Sequence, residues 1–309
     1  MSEGILVSQP VPASGETRRL NPVVRLLGRT LTVRRGQIGL ALLALAVVAA
    51  VAGPHLAPFG VDDFVGAPFQ PPDGSSLFGT DNLGRDVFSR ALAGGGGLLW
   101  MSAGATLIAM VFGTAIGLIA GQSRGRLDGL LMRAMDVILA FPERVLVLLC
   151  VAIAGAGGLL LMVSVGLVFM PAIARASRAV TLDVAHKEFV QYAEAIGMPR
   201  RQILMREILP NILTPLMVEA GFRLTWARGL IAGIKFLGFG VQSPTADWGM
   251  MINENRDGLL FQPWAVGLPV ICIGFGGARR GPHRGIGHEG RGRPTSSRRA
   301  HRHRHRHRR

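Results

Sequence analysis

Two cysteines in 309 residues, Cys150 and Cys272, each inside an apolar run, rule against a disulfide framework and supply no metal site. They read as small buried hydrophobes. The chain has no Gly-rich phosphate loop ending in Gly-Lys-Ser/Thr, no Gly-x-Ser-x-Gly elbow and no His-Glu-x-x-His helix. It is therefore expected to hydrolyse no ATP and to be no enzyme of those classes. A cleavable leader is not evident either: residues 1–36 are polar and Arg-bearing, and no small-residue cleavage signature follows the first apolar run, which is expected to stay as an anchor. Charge is scarce, 17% of residues against 49% hydrophobic, and with a mean hydropathy of +0.36 the chain is too apolar for a typical soluble domain of its length. An integral membrane protein with the lipid bilayer as its surroundings is expected.

The formal charge of +15 would suggest a nucleic-acid partner, but its distribution argues otherwise. From Arg279 onward twelve Arg stand against one acid, so the tail carries eleven of the fifteen charges and the rest only +4. No nucleic-acid binding is expected. Residues 279–309, rich in Gly, Arg and His, have no apolar periodicity and are expected to be disordered. Because the composition changes abruptly inside an unfinished span, the tail reads as a shifted reading frame and is assigned no function.

Apolar runs and the placement of arginines define the organisation. Residues 1–36 form a basic segment on the cytosolic side, and a first span covers about residues 37–57. Residues 58–97, with five Asp against two Arg and many Pro and Gly, are expected outside, with some structure but little core. The core of residues 98–278 holds five further spans, at about 98–120, 130–154, 159–174, 213–241 and 261–278. Gly113, Gly117 and Gly121 in the second span repeat every four residues, the arrangement that lets helix backbones approach closely in lipid. Asp136, Pro142, Glu143 and Arg144 interrupt the third, and must lie near an interface or face a partner or an aqueous path. Glu219, Arg223, Arg228 and Lys235 interrupt the fifth: Glu219 and Arg223 can pair at i, i+4, the sequence assigns no partner to Arg228 or Lys235, and snorkelling near the span's ends suits Lys235 and Glu219 better than Arg228. The fold class is all-α, a polytopic membrane protein of about six transmembrane helices with both termini in the cytosol.

Between spans four and five lies His186–Asn211, a polar, helix-competent island. Phe189, Ala193 and Ile196 give a first helix an apolar face. Gly197 should end it, Pro199 should start a second helix carrying Ile203, Leu204 and Ile208, and Leu209-Pro210-Asn211 should break that one. Two short helices at a fixed angle make a rigid projection into the cytosol, a docking surface.

Glu188-Phe189-Val190, Gln191, Ala193, Gly197 and Ile208-Leu209-Pro210 resemble the EAA loop of ABC importer membrane subunits, which docks into a groove on the ATP-binding subunit; Gln191 and Tyr192 stand where an acid and alanine are usual. The run from Phe78 to Arg90, with Gly79, Thr80, Asp81, Gly84, Arg85 and Asp86, is similar to the FGTDxxGRDVFSR signature of the dipeptide, oligopeptide and nickel branch of these permeases. From its residues alone it is a Gly-punctuated turn in which Asp81, Arg85 and Asp86 can form local salt bridges. Met132–Pro142 and Phe236–Gly240 followed by Trp248-Gly249 resemble further family segments. The resemblance implies a cell inner membrane location and a permease subunit of an ATP-driven peptide importer. It implies no cofactor bound directly, ATP used by two ATP-binding cassette subunits, a second homologous permease subunit, and an extracytoplasmic substrate-binding protein. Nickel is the alternative substrate. The rival class is an ion-coupled secondary transporter, with Asp136, Glu219 and Arg223 as path groups; a non-transporting membrane scaffold is a third reading.

Overall fold

The computed structural model describes residue 48 and residues 52–123, 125–155, 157–239 and 245–275. The basic N-terminal segment, most of the first expected span and the Gly/Arg/His tail lie outside the described residues. What is described is helical, with no strand among the described residues and only two isolated bridges, Phe64 with Arg85 and Thr80 with Asp86.

Helix α1 (Val87–Ala93) leads into α2 (Gly95–Gln122), and α5 (Gly158–Ala185) packs along α2. The glycine repeat explains how. A Cβ at Gly113 would stand 2.8 Å from the Ile173 Cβ, one at Gly117 2.5 Å from the Ser177 Cβ, and one at Gly121 2.7 Å from the Thr181 Cγ2. Only glycine admits so close an approach. Both partner series rise in number together, so α2 and α5 run parallel and the chain between them must return along the bundle. It does so as a broken pair, α3 (Arg126–Leu139) and α4 (Glu143–Ala154), bent by 83° at the Phe141-Pro142 break. The interruption expected in the third span thus takes the form of a sharp bend: proline removes a ladder N–H and disfavours helix at the residue before it.

Among the described residues two stretches are long and apolar enough to cross a membrane, Val87–Gln122 and Gly158–Ala185, and a third if the bent pair is one span. Residues 87–97, expected as loop, are thus already helical, and α5 continues eleven residues past the expected end at Ala174. It passes Arg175 and Arg178 because both are paired: Arg178 forks onto Asp128 of α3 at 2.6 Å through two nitrogens, and Arg175 meets Asp136.

Glu188–Ala195 is α6 and Arg200–Ile203 is α7. A π-turn, Leu204–Ile208, then joins α7 directly to α8 (Leu209–Phe236), followed by α9 (Trp248–Asn255) and α10 (Trp264–Phe275). The expected break at Leu209-Pro210-Asn211 does not occur. The π-turn shifts the ladder, the Leu209 N–H reaching back to the Leu204 carbonyl, and Pro210 follows directly on that wider turn without ending the helix. One apolar cluster, with Leu98, Ala105, Val165, Phe169 and Ile231, fills the bundle. A second, at the end where α2 and α5 finish, ties the hairpin on.

Candidate functional site

The hairpin is anchored by its small and aliphatic residues. Val190 and Ala193 of α6 meet Ile203 and Ile208, all but fully buried, against Leu118, Val184 and Ile212 of the long helices. Phe189, Tyr192 and Ile196 are left outside, 38, 68 and 59% exposed. This corrects the expected apolar face: Ala193 packs inward, but its inward neighbour is Val190, three residues back, rather than Phe189, four residues back. Both pairings are helical neighbours, so burial chooses between them.

The turn behaves as the sequence indicates. Gly197 has φ +78°, with the Met198 N–H on the Ala193 carbonyl at 3.1 Å and the Gly197 N–H on the Glu194 carbonyl at 3.0 Å, the paired bonds of a left-handed helix stop. Pro199 precedes α7 as its cap. Glu188 occupies the first turn of α6, where a carboxylate suits the helix dipole, and the Gln191 amide closes onto the His186 carbonyl at 3.2 Å. Glu188, Gln191 and Pro210 are exposed, Leu209 is half-buried, and Ile208 is buried. The arrangement offers a firm apolar and aromatic patch on a projection that continues without interruption into α8.

Residues 58–90 lie at the other end of the bundle, ahead of α2, and their signature builds a polar interior where little core was expected. Gly79 and Gly84 have φ +71° and +83°, and a Cβ at Gly84 would stand 2.2 Å from the Gly66 carbonyl oxygen. The Thr80 hydroxyl accepts from the Gln70 N–H at 2.8 Å and donates to the Ala67 carbonyl at 2.6 Å. Asp81 takes the Leu83 and Arg85 N–H groups at 2.9 Å on one oxygen; on the other it takes the Arg85 Nε at 2.8 Å and Arg90. Asp86 caps α1, accepting from the Ser89 N–H at 2.8 Å. The local salt bridge of Asp81 and Arg85 is thus formed.

Sequence reasoning missed the second half of this network. Glu254 of α9 reaches Arg85 at 3.2 Å and Arg90 at 3.1 Å, the Asn255 side chain accepts from the Asn82 N–H at 2.9 Å, and the Gln262 amide donates to the Gln70 and Phe78 carbonyls. More than 160 residues separate Glu254 from Arg90, so no local pattern could reveal the pairing. Farther out, Asp73 is held at about 2, below the usual carboxylate range, first by the Ser75 hydroxyl and then by the Ser76 and Ser75 N–H groups.

The charges within α8 are partnered. Glu219 and Arg223 pair at 2.8 Å as expected, and Arg223 also faces Glu143 at 3.8 Å. Lys235 does not snorkel: it is 1% exposed and bonded to Asp247 at 2.5 Å across the gap between α8 and α9. Arg228 is buried, with the Thr225 hydroxyl at 3.4 Å.

Residues 113–278 match the family model described as binding-protein-dependent transport system inner membrane component. A protein assigned as a peptide transport system permease in Brucella suis biovar 1 is 36% identical over 82% of this chain and 86% of its own length. A dipeptide transport system permease protein of Alkalihalophilus pseudofirmus is 35% identical over 67% of this chain and 69% of its own. A di/tripeptide transport system permease protein of Pseudomonas aeruginosa is 34% identical over 76 and 80%.

Proposed function

The chain belongs to the family of inner membrane components of binding-protein-dependent transport systems, and from that premise we propose that it is the permease subunit of an ATP-driven peptide importer. Partner subunits hydrolyse the ATP. Their closure moves the hairpin Glu188–Ile208 as one body, and because α7, the π-turn and α8 are continuous, that displacement enters the bundle directly. The observation that carries this reading is the exposed patch of Phe189, Tyr192 and Ile196 on a hairpin fixed by buried Val190, Ala193, Ile203 and Ile208. An aromatic and aliphatic surface held rigidly is what a partner's groove can grip without ordering it first.

In this reading the hairpin end of the bundle is cytosolic, in keeping with Arg126, Arg133, Arg200, Arg201 and Arg206 around it, and both termini are cytosolic. Residues 58–90 and α9 then face the extracytoplasmic binding protein. A second permease, two ATP-binding subunits and that binding protein complete the importer. Peptide is preferred to nickel because the named relatives handle di- and tripeptides. Asp136 and Glu219, which a secondary transporter would use as ion-path groups, both sit in ion pairs.

The test is co-purification. Tagged chain should retain an ATP-binding subunit in detergent, and Phe189→Asp should release it while membrane insertion is unchanged. Full retention by that variant would refute the docking role.

A further inference from the structure

α3 is set apart from the other helices by its direction and by its outer face. The chain leaves α2 at Gln122 and turns at Gly125, whose φ of +109° suits glycine alone. Val147 and Val151 of α4 pack into the same apolar cluster as Leu161 and Val165 of α5, and α3 meets α4 at 83°. The ion pairs agree with that angle. Asp128 and Asp136 stand eight residues apart, about 12 Å along α3, whereas their partners Arg178 and Arg175 stand three apart, about 4.5 Å along α5. α3 thus lies across α5 rather than along it. The same pairs give its height, because Arg175 and Arg178 come directly after the apolar run of residues 159–174. A helix laid across the bundle where its apolar stretch ends lies in the plane of the membrane surface.

The faces of α3 sort accordingly. Leu127, Leu130, Ala134 and Val137 share one side at helical spacing and all are exposed, Leu130 by 67% and Val137 by 63%. Buried Met135 lies on the other side with Asp128 and Asp136, which are paired to α5. Arg126 and Arg133, seven residues apart, run along one edge of the apolar stripe. Both are exposed and make no ion pair among the described residues. Water is the wrong neighbour for that stripe, and hydrocarbon is the wrong neighbour for the two guanidiniums. The boundary between headgroups and acyl chains suits both at once, with the apolar side chains entering the acyl region while the arginines stay among phosphates.

We propose that α3 is an interfacial helix seated in one leaflet, where Arg126 and Arg133 hold the headgroups of anionic phospholipid; that this leaflet is the cytosolic one rests on the orientation given above. The full chain, carrying Cys150→Ala, Cys272→Ala and a nitrobenzoxadiazole label on Leu130→Cys, is reconstituted in an equimolar mixture of phosphatidylcholine and phosphatidylglycerol. Acyl chains brominated close to the headgroup should quench the label more than chains brominated near their ends, and aqueous iodide should quench it least. Bromines on phosphatidylglycerol alone should report an association constant at least about fivefold above that found with bromines on phosphatidylcholine alone. Arg126→Gln with Arg133→Gln should bring that ratio to about one. Val137→Cys, on the same stripe, answers the question should a label at Leu130 disturb folding. In the assembled importer the lipid quenching should persist. Dominant quenching by iodide, stronger quenching from the chain ends, loss of lipid quenching on assembly with the second permease, or a ratio of one with both arginines present would overturn the proposal. Ser123→Cys in the same background, scored with an impermeant maleimide on inside-out and right-side-out vesicles, shows separately whether the orientation has failed.

Discussion

At one end of the bundle the hairpin keeps its aromatics outside and is fixed by Val190, Ala193, Ile203 and Ile208; at the other, residues 64–90 keep Asp81, Arg85, Asp86 and Arg90 inside. Both turn on left-handed glycines, Gly197 in the hairpin and Gly79 and Gly84 in the loop. They differ in what holds them. Aliphatic contacts are non-directional and leave the outer surface free to be chosen for a partner, whereas a buried ion network fixes one arrangement and tolerates no missing member. The hairpin is therefore a surface to be gripped, and the loop is a shape to be kept, clasped to α9 through Glu254, Asn255 and Gln262.

The contrast is broken most severely at Asp81. Asp81→Ala removes one of the two carboxylates shared by Arg85 and Arg90, whose guanidiniums are 3 and 0% exposed, and leaves Glu254 as the carboxylate that both still reach. The expected loss is about 3–5 kcal/mol, measured as a lowered unfolding midpoint of the detergent-purified chain. A loss no larger than that of a surface substitution would mean that the network is not what holds the loop.

Next in size is the turn of the hairpin. Gly197→Val forces a β-branched residue to φ +78° where no neighbouring atom crowds the Cβ, so the cost is backbone strain alone, about 1–2 kcal/mol. Because the angle between α6 and α7 depends on that residue, uptake should fall while membrane insertion and ATP hydrolysis by the partners persist. Parallel assays of uptake and phosphate release separate this from simple unfolding, in which both fall together.

These two sites also mark what the sequence made legible. Gly197 and Pro199 were readable because punctuation acts on its own backbone, the Gly113, Gly117 and Gly121 repeat because its period is that of a helix, and Glu219 with Arg223 because i, i+4 neighbours must meet. Lys235 with Asp247, twelve residues apart across a helix end, and Glu254 with Arg85 and Arg90 depend on the tertiary path and leave no local trace. The hairpin shows the subtler failure. Val190 and Phe189 are adjacent and both apolar, so periodicity allowed either to face inward, and only the space beside Ile203 and Ile208 decides for the smaller side chain. Likewise Pro210 is a strong breaker in sequence, yet a five-residue π-turn absorbs it.

Removing Tyr192 sharpens the comparison in the opposite direction. Tyr192→Ser should change stability by no more than about 0.5 kcal/mol, as for an exposed residue without buried contacts, while weakening retention of the ATP-binding subunit by about tenfold or more if the patch is a hot spot. Quantifying the retained subunit against the unfolding midpoint of the same preparation tests both halves at once.

The smallest expected effect lies at the exposed rim of the loop, where Asp73 makes a turn with Ser75 and Ser76. Its carboxyl is held at about 2 by the Ser75 hydroxyl and the two N–H groups, below the value of about 3.9 of an unfolded chain. For a depressed carboxyl the contribution to folding is complete above the unfolded value and is lost as pH falls through the folded one. The turn should thus be intact at pH 5 and open progressively between about pH 4 and pH 2. Asp73→Asn should remove that pH dependence while leaving the Asp81 network closed, which cleavage of this segment by an acid-stable protease can follow. If opening of the turn also loosened residues 80–90, the rim and the buried clasp would be one unit, and the loop would be held from its surface as well as from its charged interior.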